Sequence, residues 1–335
     1  NITSGQIVDA AEGSIDIIAQ NAKLAITAQG GVGSLDNPIE IDVSALDVRN
    51  SGSGDIGLVE SGSLLINRVQ QTAGAVSIAT VNGQIQVAGA VSSTGDLNLT
   101  AGGTTGSMRI DAPITSSTGT VTLSVDAGDL SLANSITGVN VSLVLSNGSL
   151  VNAGKLTTGL VNGVSRTYKD NWLTINNGAA FDPEIQWLMS RGYASTNAST
   201  GEITVSGLQP FQEAAHLANG TVLRQAYGPF IQATGTGNPA DPQGAIRISV
   251  KGTIGQATPG FDISPGSIMI NGLTLNTSSS DRGAIYMLAT DTVMVESLGQ
   301  AGAGASASKG GETILHALNG TLKTQGVLDA NGDAV

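Results

Sequence analysis

The sequence predicts an all-β chain: a parallel β-solenoid interrupted once by a small helical, aromatic-rich insertion. Three observations predict it. A glycine-led unit recurs about every ten residues: Gly, a small or polar residue, then two apolar residues with one position between them. The core has to be aliphatic, because 40% of residues are hydrophobic and only 3% are aromatic. A longer block around Pro38 returns around Pro259.

The unit opens at Gly13, with Ile15 and Ile17. It returns at Gly54 (Ile56, Leu58), Gly74 (Val76, Ile78) and Gly83 (Ile85, Val87). Four copies follow closely, at Gly95 (Leu97, Leu99), Gly106 (Met108, Ile110), Gly119 (Val121, Leu123) and Gly128 (Leu130, Leu132). A shortened one stands at Gly138 (Val139, Val141). Alternation with period two puts every second side chain on one face of a strand. The Gly, Ser, Thr, Asn and Ala clusters between units are turn signals. Two architectures fit many short, evenly spaced strands. An antiparallel sandwich or barrel would use Asn82-Gly83 and Asn147-Gly148 as hairpin turns. A parallel solenoid would give each coil two or three short strands. Its narrow interior favours stacked aliphatics over rings, as the composition here requires.

The longer repeat points the same way. Gly31-Val-Gly-Ser-Leu-Asp-Asn-Pro38-Ile-Glu-Ile-Asp42-Val43 has a partner in Gly252-Thr-Ile-Gly-Gln-Ala-Thr-Pro259-Gly-Phe-Asp262-Ile263. Residues 31–67 and 252–297 are therefore expected to be two copies of one several-coil block, which implies a long parent protein built by duplication. The expected organisation is solenoid coils over 1–165, an insertion over 166–233, and coils resuming over 234–335. The insertion is marked by its rings: Tyr168, Trp172, Phe181, Trp187, Tyr193, Phe211, Tyr227 and Phe230 all fall within it. Asp182 and Pro183 read as the N-cap and first turn of a helix, and Gln209-Pro210-Phe211 to about Tyr227 as one or two more.

Composition bounds the function. The net charge is −12 with no basic stripe, which disfavours nucleic acid and anionic membrane surfaces as partners. Cysteine is absent, removing disulfides, thiol catalysis and thiolate metal sites. The longest apolar run, near Val139 to Leu145, is too short to span a bilayer. A chain starting at Asn1 reads as an interior or processed fragment.

The glycine-led units, with the Gly-Val-Gly-Ser-x-x-Asn-Pro-Ile-Glu-Ile block, resemble the filamentous haemagglutinin-like family of giant secreted bacterial proteins. The resemblance covers most of 10–160 and 244–325, and the insertion lies outside it. It implies a right-handed parallel β-helix at the cell surface of a Gram-negative bacterium, serving as an adhesin, a biofilm-matrix protein or a toxin stalk.

A polysaccharide lyase or hydrolase would need clustered carboxylates with Arg or Lys, or metal ligands on adjacent coils. Asp16, Asp96, Asp111 and Asp129 are scattered one per strand or turn. Glu40 and Asp42 are the one pair able to share a strand face. These read as solvated carboxylates. Glu213 and His216 stand three apart on an expected helix, and His316 lies in a strand; both histidines read as structural. Asp329, Asn331 and Asp333 begin like a calcium loop, and a turn is the simpler reading, so no cofactor is expected beyond that weak calcium signal. The aromatic cluster either builds the insertion's own small core or exposes rings to a ligand. The candidate binding residues are Tyr168, Trp172, Trp187, Arg191, Tyr193, Phe211, Arg224 and Tyr227.

These readings lead to a non-enzymatic segment of a long extracellular fibre that projects a binding element. Its expected partners are copies of itself, end to end or laterally, and surface glycan or protein, without nucleic acid or membrane insertion. The alternatives are a polysaccharide-binding or polysaccharide-degrading β-helix and a passive stalk for a distal toxin.

Overall fold

The computed structural model describes residues 5–10, 13–153, 230–235, 244–256, 267–280, 283–289, 291–300, 313–317 and 321–324, with the backbone of six strands between Leu156 and Tyr227. Two sheets result, one of 23 strands and one of 6. The larger is a parallel β-solenoid.

Its coils have three faces. The first stacks the strands Ile56–Glu60, Val76–Thr80, Leu97–Ala101, Thr120–Val125 and Asn140–Leu145. The second stacks the start of Leu64–Gln71, then Ile85–Val87, Met108–Ile110, Leu130–Leu132 and Leu150–Asn152. The third stacks the end of Leu64–Gln71, then Val91–Ser93, Ile114–Ser116 and Ile136–Gly138. Equivalent positions on successive coils are 20 to 24 residues apart. The ten-residue refrain is thus the alternation of first and second faces within one coil. The third face escaped the pattern because its second inward residue is Ser93, Ser116 or Gly138 rather than an aliphatic.

Alternation places the core. Ile56, Val76, Leu97, Val121, Val141 and Ile246 form one inward column, each fully buried. Burying such a side chain stabilises the fold by about 1.5–3 kcal/mol. At the corner after the third face the inward column turns polar: Asn50, Gln71, Ser93 and Ser116 are all buried. They bond to turn backbone and to each other. Asn50 Nδ2 donates to Ser53 O at 2.9 Å and to Gln71 Oε1 at 3.0 Å, and Ser93 and Ser116 both donate to Gly95 O at 2.7 Å. Buried turn carbonyls that no ladder reaches are satisfied in this way.

The two Asn-Gly dipeptides are corners, not hairpins. A Cβ on Gly83 would lie 2.4 Å from the Gly62 carbonyl carbon, and one on Gly148 would lie 1.8 Å from Gly128 O. Glycine is required there because the neighbouring coil's backbone passes where a side chain would start. Antiparallel pairing occurs instead between Leu156–Val161 and Val164–Lys169.

Three further expectations are corrected. The Gly13 unit does not bury its first aliphatic: Ile15 is 41% exposed, and it precedes the strand Ile17–Ala28, which among the described residues has a neighbouring coil on one side only. The blocks 31–67 and 252–297 are not equivalent. Val32 bridges Ile56 in the first-face column, whereas Ile254 bridges Leu150 and Ile285 in the second-face column. One face of phase separates them, so the resemblance is of turn chemistry rather than of coil position. The interruption is not helical in its described part. Leu156–Val161, Val164–Lys169, Trp172–Asn176, Ala194–Thr196, Ile203–Ser206 and Ala226–Tyr227 form an antiparallel sheet. Their alternating β-branched and aromatic residues favour strands. The helix starts read at Asp182 and Gln209 lie outside the described residues.

The solenoid resumes in register. Asn140–Leu145 pairs directly with Ala245–Val250, Val141 meeting Ile246, and Ile136–Gly138 pairs with Phe230–Ala233. About 75 residues, 154–229, thus fall between neighbouring coils without breaking the ladder.

Candidate functional site

Polar residues at the start of several strands do more than fill a turn. Asp55 Oδ1 accepts the N–H of Ala75, Asp96 Oδ1 that of Thr120, and Asp129 Oδ1 that of Ser149, each at 2.8 Å. Ser63 Oγ accepts from Gln84 at 3.0 Å, Asn140 Oδ1 from Ala245 at 2.9 Å, and Ser149 Oγ from Thr253 at 3.0 Å. In every case the donor is the equivalent position one coil on. The acids that looked scattered are therefore inter-coil clasps at the coil corners, where the ladder is interrupted. Asp111 is different. It accepts from Arg109 Nε at 2.9 Å and from Gln86 Nε2 at 2.8 Å, and the Arg109 hydrogen bond holds its carboxyl below the usual range.

The main electrostatic anomaly is at the N-terminal end. Asp16 Oδ2 accepts the N–H of Glu40 at 3.0 Å, as a clasp would, and Asp16 N–H donates back to Glu40 O at 2.9 Å. Here, however, the clasp lies beside two more acids. Ligand oxygens of Asp9, Asp16 and Glu40 all lie within 4.8 Å of one another. Burial, then the hydrogen bond with Asp16, then the charges of Asp9 and Asp16 raise the Glu40 pKa. Such oxygens could ligate a hard cation. The sequence pairing of Glu40 with Asp42 is not what forms: Glu40 joins Asp16 and Asp9, while Asp42 accepts a hydrogen bond from Gln20.

Glu60 is a second anomaly. It is 1% exposed and stacks inward between Ile41 and Thr80. Its carboxylate accepts from Val43 N–H at 2.9 Å and Gly62 N–H at 3.0 Å, which ties the corner to the preceding coil. Burial pushes its pKa up, against those bonds. Sequence reasoning missed it, although parity announces it: Ile56, Leu58 and Glu60 share one inward face. Asp9 was missed because it lies outside any repeat.

A shallow groove of about 160 Å³ on the second face is lined by Ser44, Ser63, Leu65, Gln84 and Gln86. The candidate binding residues fall partly on the antiparallel sheet. In backbone register Tyr168 stands between Leu156 and Leu173, Trp172 between Lys169 and Ser206, and Tyr227 opposite Thr157. Trp187, Arg191, Tyr193, Phe211 and Arg224 lie outside the described residues, as do Glu213, His216 and the Asp329, Asn331, Asp333 turn. His316 sits in the strand Thr313–Ala317, opposite Leu288. In comparisons with known proteins, no family model, curated protein or solved structure matches this chain.

Proposed function

We propose that the chain is a structural and adhesive segment of a long bacterial surface fibre, of the filamentous haemagglutinin-like kind that its repeats resemble. The observation that carries this reading is the in-register return of the solenoid, Val141 to Ile246, across the whole interruption. A rod that releases about 75 residues between two neighbouring coils keeps its stiffness while presenting them at its side. The antiparallel sheet then belongs to the presented element, with Tyr168, Trp172 and Tyr227 as the rings that meet surface glycan or protein. Parallel ladders leave unpaired groups at a stack's ends, which favours end-to-end contact between copies at an extracellular location.

Joining Ala153 directly to Phe230 tests it. The shortened protein should retain its β-sheet circular dichroism and melt cooperatively while losing attachment to cells or immobilised glycans. Unchanged attachment would favour the passive stalk. Turnover of any member of a broad glycan panel by the intact chain would favour the polysaccharide enzyme.

A further inference from the structure

We propose that the shallow groove on the outer side of the second face binds one uncharged pyranose ring of a glycan, at a place on the rod separate from the interruption. Parity sets its lining. Leu64, Ile66, Ile85 and Val87 turn inward and are buried, so Ser63, Leu65, Gln84 and Gln86 share the outer surface of two neighbouring coils. Ser44, one coil back, completes the lining. Leu65 stands in register with Gln86, and Gln86 with Arg109 on the coil after.

The hydrogen-bonding capacity these side chains leave unused selects the ligand. Ser44 Oγ donates to Ala22 O at 3.0 Å, so its lone pairs remain to accept. Ser63 Oγ accepts from Gln84 N–H at 3.0 Å, so its proton remains to donate. Gln86 Nε2 donates to Asp111 Oδ2 at 2.8 Å, which leaves Oε1 as an acceptor. The exposed Gln84 amide offers a donor and an acceptor together. Sugar hydroxyls each donate and accept, so they match a mixed set of this kind, and Leu65 gives the C–H face of a ring an apolar floor. No titratable side chain is among the lining residues. Arg109 and Asp111, beside Gln86, are paired with each other. A charged ligand therefore has no open counter-charge to meet. The groove's volume of about 160 Å³ is the share of roughly five waters. That is well below the roughly 300–1,000 Å³ of sites for drug-sized ligands, so one ring is the fit and binding is expected in the millimolar range.

NMR titration of the intact, isotope-labelled chain reads the groove through the Gln84 and Gln86 side-chain amides and the Ser63 and Leu65 backbone amides. Maltohexaose and cellohexaose at millimolar concentration should shift these signals, and the charged hexagalacturonate should shift them less. Glycan bound by rings in the interruption would move other signals, so this outcome and the attachment outcome stand or fall separately. Gln84→Ala trims an exposed side chain and keeps the backbone bond to Ser63, so the fold should survive while the neutral sugars bind about tenfold more weakly. Ser131→Ala, two coils on in the outer column of Gln86 and Arg109, should leave binding unchanged. No shift at the groove with either neutral sugar, an equal or larger shift with hexagalacturonate, or a response undiminished in Gln84→Ala would overturn the proposal.

Discussion

The regular coils from Ile56 to Asn152 and the N-terminal coils before them contain the same kind of corner acid, in opposite circumstances. In the regular coils Asp55, Asp96 and Asp129 each meet a backbone N–H of the next coil. At the N-terminal end Asp16 does the same for Glu40 but also stands against the carboxyls of Glu40 and Asp9. Glu60, at the junction, is an acid turned into the core. The lesson is that a repeat protein low in charge still needs its few acids placed. One per corner joins coils, whereas three at one end crowd their carboxyls together.

The largest effects should come from the stacked core. Leu99→Ala should cost about 2–5 kcal/mol in urea unfolding, because its column is closed by coils on both sides. Ile26→Ala should cost distinctly less, since Ile26 is 7% exposed and has a coil on one side only among the described residues. Equal costs would break the distinction between the two regions.

Gly148→Ala comes next. Its new Cβ would press on the Gly128 carbonyl, and overpacking of about 1–3 kcal/mol should appear as a lower unfolding midpoint.

Glu60→Gln tests the buried acid. Glu60's folded pKa is raised above its unfolded value, so its share of stability is present below the ordinary carboxylate pKa and lost as pH rises through the raised one. Subtracting the variant's pH–stability profile from the wild type's should isolate that decline. A rise instead would mean that the Val43 and Gly62 hydrogen bonds outweigh burial.

The smallest effects give the sharpest contrast. Asp96→Asn should be neutral or slightly destabilising in thermal melts at neutral pH. Asp16→Asn should stabilise slightly, because the amide can still accept from Glu40 N–H while one repulsive charge goes. Both changes should stay below about 1 kcal/mol. The signs are what matter, and a stabilised Asp96→Asn would undo the contrast.

Much of this fold was legible in the sequence. Leu97, Leu99, Val121 and Leu123 declare the inward face by alternation alone, and the scarcity of rings argued for a narrow core. What was not legible had physical reasons. Asn-Gly favours both a hairpin and a coil corner, so Gly83 and Gly148 needed the neighbouring coil to decide them. The third face carries one aliphatic per strand and no refrain. Clasps such as Asp96 to Thr120 join residues 24 apart, a distance that no local pattern encodes. Glu60 alone was readable and unread, as an acid at an inward parity position.

The parallel coil itself is open to a direct measurement, because the chain has no cysteine of its own. Ser77 and Asn98 stand opposite one another on neighbouring coils of the first face. Replacing both with Cys and treating the protein with a short bifunctional thiol reagent should give rapid intramolecular cross-linking, whereas Cys at Val81 and Gln84, which a hairpin at Asn82-Gly83 would pair, should link poorly. Efficient linking of 81 to 84 with none between 77 and 98 would contradict the solenoid.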